Sequence, residues 1–294
     1  MDPITTEILV LGAGPGGYTA AFYAADKGKK VTLVGSNATL DMVDDPFSFV
    51  AAGNGSVISI RNLNIDEHLR NPAPDANAAI NCDTCDLFID NMQSTTVILH
   101  AVSQSSLGGT LTVRHSRFSG PALSSFQLTI DSCIFHNPGL ETLGSIQMTN
   151  SIVINDSTQV AMFLRSSDPT KSRSNIAHNT FIGGSKIDCQ MPTESRRVFD
   201  SNIFYQISDI SAPLGCEYDY SLSILGTSLP GTDNAGGDPM FKDATNNDFH
   251  LKPGSAAIDS ANPTDARTGR DLEGTLRPQG SRSDIGALEY IPPR

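Results

Sequence analysis

The chain has 294 residues, 38% of them hydrophobic and 18% charged, with no Trp and a net charge of −12. That length and apolar content can bury a sizeable core in one or two domains, and they exclude a disordered or membrane-spanning chain. The acidity excludes nucleic acid as a partner, because a phosphate backbone selects a basic surface.

In chain order, Ile8 to Leu11 reads as a buried strand, GAGPGG as a glycine turn, Tyr18 to Lys27 as a helix and Lys30 to Val34 as a second strand. This predicts a β-α-β unit with a GxGxxG fingerprint at Gly12, Gly14 and Gly17, where amides at a helix N-terminus can hold a pyrophosphate. The segment resembles the N-terminus of dihydrolipoamide dehydrogenases, which are flavoprotein disulfide reductases. The resemblance implies an FAD site at these glycines, an acid after the second strand for the adenosine ribose, and a redox cysteine pair shortly beyond. This chain departs on both later points: Gly35 follows Val34, and no cysteine precedes Cys82. A fingerprint without its acid is expected not to enclose FAD, and no bound cofactor is expected. Within residues 1–35, Asp2, Glu7 and Asp26 balance Lys27, Lys29 and Lys30, so the whole net charge falls on residues 36–294. Residues 1–35 therefore read as a truncated Rossmann-like leader or fusion ending at Gly35-Ser36. Its removal should leave the remainder folded.

Residues 36–56 carry turn formers and short apolar pairs, and read as a linker with an incomplete first coil. From about 57 to 230 the chain repeats. LTVRHSRF from Leu111, LTIDSCIF from Leu128, IQMTNSIV from Ile146, SNIAHNTF from Ser174 and RVFDSNIF from Arg197 share apolar third and eighth positions and a small or polar sixth. The alternation is that of strands, and the recurrence is that of a solenoid. A β-sandwich would give the alternation but not the fixed offset from strand to polar corner. The expected fold class is all-β: a right-handed single-stranded parallel β-helix over 57–230, with Val113, Ile130, Met148, Ile176 and Phe199 buried in one column. Setting Cys133 aside as a buried thiol leaves four cysteines, among which a Cys189–Cys216 bridge is plausible. Cys82-Asp-Thr-Cys85 alone is too little for a zinc site.

Residues 231–294 are expected to form a loop-rich cap over the open end of the solenoid. The tail from Tyr220 through Asp238-Pro-Met-Phe241 and Phe249 to Asp259, with Asp271 to Gly280 and Asp284 to Tyr290, resembles that of choice-of-anchor Q proteins. These are extracellular β-helix proteins with pectate-lyase-like cores. Asp259, Asp271 and Asp284 are candidates for a calcium ion. Bonds from these side chains to turn amides are the alternative.

The outward columns bring Arg114, His115 and Asp131 to one patch if successive coils stack in register. An Arg there can grip a sugar carboxylate and an Asp or His can act as acid or base. A surface ion pair is the plainer reading. The resemblance to the tail family implies a secreted or cell-surface, monomeric protein that binds a polysaccharide or serves as a structural module. A polysaccharide lyase or glycoside hydrolase is the alternative, and an FAD-dependent dihydrolipoamide dehydrogenase piece is the remotest reading.

Overall fold

A computed structural model describes residues 6–11, 15–41, 48–52, 57–66, 78–83, 85–95, 97–101, 109–156, 160–165, 175–184, 186–190, 197–207, 216–224, 229–264 and 269–293. The chain divides into two compact units, one of residues 1–129 with 138–143, the other of residues 130–137 with 144–294.

The first unit opens with β1 (Ile8–Leu11), α1 (Pro15–Asp26) and β2 (Lys30–Asp41). β1 and β2 are parallel, from Ile8 beside Val31 to Leu11 beside Val34. Pro15 suits the first helical position, where its missing N–H leaves nothing unsatisfied, and four alanines favour the helix that follows. Gly28 ends it at φ +76. The Lys29 N–H reaches the Ala24 carbonyl and the Gly28 N–H reaches that of Ala25, which closes the helix in a Schellman motif. Ala21 and Ala25 are buried on the helix, as are Val31 and Leu33 on β2. Small helix residues let the crossover lie close to its sheet.

The ladder continues with β3 (Ser48–Ala52), β4 (Val57–Asp66), β5 (Ala78–Asp83), β6 (Asp86–Asp90), β7 (Gln93–Thr95), β8 (Val97–Ala101), β9 (Thr110–Arg114) and β10 (Arg117–Ser119). Parallel pairs join β2 to β4, β3 to β5, β4 to β6, β5 to β8, β6 to β9 and β7 to β10. Ile60, Ile89 and Val113 therefore stack in register, each at most 2% exposed. β11 (Ala122–Asp131) begins against β8.

The second unit holds β12 (Ile134–His136), most of β13 (Gly139–Thr149), β14 (Ile152–Asn155), β15 (Val160–Arg165), β16 (Asn175–Ala177), β17 (Thr180–Gly183), β18 (Lys186–Gln190), β19 (Arg197–Asp200), β20 (Ile203–Tyr205), β21 (Cys216–Asp219), β22 (Leu222–Ser223) and β23 (Ala235–Gly236). Met148, Ile176, Phe199 and Tyr218 are successive partners on β13, β16, β19 and β21, and all are fully buried. Their stacking leaves no apolar face to water.

At the corners a left-handed residue (Ser132, Asn150, His178, Ser201, Tyr220) precedes a buried polar or thiol side chain. Those side chains form a continuous ladder. The Cys133 N–H donates to Ser151 Oγ at 3.1 Å, Ser151 N–H to Asn179 Oδ1 at 2.9 Å, Asn179 N–H to Asn202 Oδ1 at 2.8 Å and Asn202 N–H to Ser221 Oγ at 3.2 Å. The ladder gives partners to amides that no neighbouring strand could reach, which explains small and polar residues at that offset. Cys189 and Cys216 are joined in a disulfide, Cα atoms 6.2 Å apart, while Cys133 is buried outside any disulfide. The chain then turns into the antiparallel pair β24 (Phe241–Asp243) and β25 (Asp248–Leu251). Phe241, Phe249, Leu251, Ile285 and Ala287 pack with Ile182, Ile203 and Leu222 in one core.

The expected fold class needs correction. An all-β, right-handed single-stranded β-helix beginning at residue 57 leaves out a helical crossover and the strands on either side of it. β2 runs straight through Gly35 and pairs with β4 from Lys30 beside Val57 to Asp41 beside Asp66. The βαβ unit is thus built into the parallel sheet of its unit, where a separable leader was expected. The architecture is a many-stranded parallel sheet opened by a Rossmann-like βαβ unit.

Candidate functional site

β1 ends at Leu11 and α1 begins at Pro15, so residues 12–14 make the whole link. Gly12 and Gly14 lie outside the described residues; Gly17 is half-buried in the first turn of α1. That turn carries no acidic side chain. The partial positive charge of the helix N-terminus is therefore not neutralised within the turn, which suits a pyrophosphate. At the other end of β1, Glu7 accepts the Lys30 N–H at 3.0 Å and pairs with Lys29 at 3.3 Å. The Lys30 amide and the Lys29 ammonium hold its carboxyl below the usual range.

The adenosine end differs. Gly35 is buried, and a Cβ there would lie 2.6 Å from the Asn62 carbonyl oxygen. Asn62 itself is left-handed, at φ +52, and the β2–β4 register shifts between Val34 and Ala38. Close backbone approach at this irregularity requires glycine, so no carboxylate can stand where the second strand of a nucleotide-binding unit offers one. The N-terminus of α1 suits the pyrophosphate part of a dinucleotide, and β2 lacks the ribose acid.

A parallel βαβ unit with a glycine link at a helix N-terminus defines a dinucleotide-binding class of fold. Residues 6–103, a third of the chain, match the family described as pyridine nucleotide-disulphide oxidoreductase. The dihydrolipoyl dehydrogenase of Bacillus subtilis (strain 168) is 63% identical over 38 residues, 13% of this chain and 8% of that protein. That of Staphylococcus aureus is 62% identical over 32 residues, 11% of this chain and 7% of that protein. The chain thus spans under a tenth of the length of these relatives.

These matches overturn three expectations. The expectation of a glycan-binding or structural β-helix protein, with lyase or hydrolase as its alternative, is not supported; the matches favour the reading placed remotest. The pectate-lyase-like assignment falls with it. The expectation of no cofactor, with FAD set aside, is also corrected, since the matched family is named for a pyridine nucleotide. Of the two resemblances read from the sequence, the N-terminal one is supported. The family match ends at residue 103 and leaves the tail outside it.

Arg114 ends β9 in the first unit and His115 follows it, both exposed. His115, at φ +48, places Nδ1 2.9 Å from Asp90 Oδ1 at the end of β6. Asp131 belongs to the second unit, where it accepts Thr149 Oγ1 at 2.7 Å and Asn150 Nδ2 at 3.3 Å. The pairing of His115 with Asp90 went unread because β6 lies outside the clear copies of the repeat. The three aspartates of the tail cap turns. Asp271 accepts the amides of Glu273, Thr275 and Glu289; Asp284 accepts those of Asp259 and Tyr290; Asp259 accepts that of Arg282. No cluster with metal-ligand geometry occurs among the described residues. Also among the described residues, no helix is long and apolar enough to cross a membrane.

Sequence reading also missed two ion-paired centres in the tail. His250 Nδ1 lies 2.6 Å from Asp248 Oδ1 and its Nε2 lies 3.1 Å from Glu273 Oε2. The Asp-x-His spacing on a strand, which puts both on one face, was a legible signal. Arg277 and Glu289 form a 2.9 Å ion pair with both side chains fully buried, and Arg277 also donates to the Asp284 and Gly286 carbonyls. Twelve positions apart in loops, that pair has no periodicity to betray it.

Proposed function

We propose that the chain is a dinucleotide-binding redox protein of the pyridine nucleotide-disulphide oxidoreductase class, holding FAD at the link between β1 and α1. The observation that carries this is the parallel β1-α1-β2 unit with its glycine fingerprint, at the start of the segment that matches that family. FAD, when bound, supplies hydride and single-electron transfer. The chain's part is to bind and orient it. Gly12, Gly14 and Gly17 let the backbone approach the pyrophosphate, and the N-terminus of α1 offsets its charge. With Gly35 in place of an acid, affinity rests on the pyrophosphate alone and is weaker than in a site that also grips the ribose. Arg114 and His115 are candidate residues for turnover in the first unit, and Asp131 is one in the second. An oxidising compartment is the proposed location, supported by the Cys189–Cys216 bridge.

Titration with FAD, followed by quenching of flavin fluorescence, tests the reading. Saturable binding is expected for the parent, weakened at least about tenfold in Gly14→Val. Equal binding by both, or none by the parent, overturns it.

A further inference from the structure

β1 pairs with β2 along one edge, and along its other edge no strand meets it among the described residues. In a sheet of the dinucleotide-binding class the first strand has a neighbour on both sides. An open edge is usually blunted by a charge, a proline or a bulge, and Ile8 to Leu11 carries none of these. Leu9 and Leu11, two residues apart and so on one face, are 56% and 75% exposed. We propose that a second copy of this chain docks on this edge, the two β1 strands running antiparallel about a twofold axis.

Charge favours a copy of the chain as the occupant. Each copy carries −12 overall, yet Asp2, Glu7 and Asp26 balance Lys27, Lys29 and Lys30, so residues 1–35 are neutral. Copies of an acidic chain repel one another, and a neutral segment is where that repulsion is least. A charged peptide, by contrast, finds no opposite charge on Ile8 to Leu11. The register follows from side-chain direction. Residues directly opposite in an antiparallel pair share a face, so a twofold pairing joins odd residues to odd and even to even. With the axis at Val10, Leu9 of each copy lies opposite Leu11 of the other, and the four exposed leucines gather on one face. With the axis at Leu9, Leu11 would instead meet the charged Glu7. The Ile8 carbonyl already accepts Thr6 Oγ1 at 2.8 Å, which also favours a pairing centred farther along, at Val10. So short an edge buries less than a standard interface, which makes the dimer weak and reversible.

Sedimentation equilibrium of the whole protein without added flavin, from about 1 to about 500 μM, tests this. The average mass of the parent should rise with concentration toward twice that of one chain. Leu9→Lys with Leu11→Lys should stay monomeric over the same range, as should Leu9→Glu with Leu11→Glu. Melting at low concentration should be unchanged in both, because the two leucines are exposed. An equimolar mixture of the two variants should associate at least about tenfold more tightly than either alone, since opposite charges then face each other across the register. A parent that stays monomeric throughout would leave the edge to a strand of another protein and overturns the proposal. Association equal to the parent's in both charged variants, or a mixture no tighter than either variant, overturns it as well.

Discussion

A single residue, Gly35, separates two readings of the opening segment. Read against the fingerprint alone it is a missing acid, and hence a reason to discount the nucleotide site. The structure gives it another cause: the Asn62 carbonyl comes too close for any Cβ. The glycine serves the sheet, and what it removes is one contact of a larger site. His250 makes the residue-scale prediction. Its folded pKa is raised above 6.5, so its contribution to stability is fully present below that value and is lost as pH rises through the folded pKa. Asp284 acts in the same direction at lower pH. Burial pushes its carboxyl to about 6 against the pull of the Asp259 and Tyr290 amides, so its contribution is present below 3.8 and lost by about 6. Thermal melting should therefore show a fall in stability as pH rises past 6.5 that His250→Gln abolishes; the same slope in the variant would assign the effect to another group.

At the scale of elements, strands and their register were legible, because alternation and a fixed corner offset repeat over Leu111 to Phe204. The corner ladder was legible as small and polar residues, though not as hydrogen bonds from one corner to the next. Asn202 shows what those bonds do. It accepts the Asn179 N–H and donates to the Ile176 and Asp200 carbonyls, all buried. Asn202→Ala strands these groups at about 1–3 kcal/mol for each left unsatisfied, so urea unfolding should show a loss of several kcal/mol. A loss below about 1 kcal/mol would mean that water replaces the side chain. What the sequence left unread was the role of β2. Its repeat-free composition looked foreign, yet Val31 and Leu33 are buried, and they stand beside Ile58 and Ile60 of β4. Deleting residues 1–35 should therefore lower the melting temperature of the first unit by exposing that edge. An unchanged melt would return those residues to the status of a leader.

For the whole molecule, the strongest periodicity lies in one part of the chain and the glycine fingerprint in another. Periodicity reports burial, and burial is what fold class is read from. A glycine link reports backbone approach to a ligand, which leaves no period behind. The buried Arg277–Glu289 pair escaped for a related reason, since its two loop residues come together only on folding. The central claim is that the opening βαβ unit binds a flavin dinucleotide, and the visible absorption spectrum tests it most directly. After incubation with FAD and removal of free ligand, the protein should retain a flavin band that is absent from Gly14→Val treated alike. A colourless parent protein after the same treatment, still folded by circular dichroism, would contradict it.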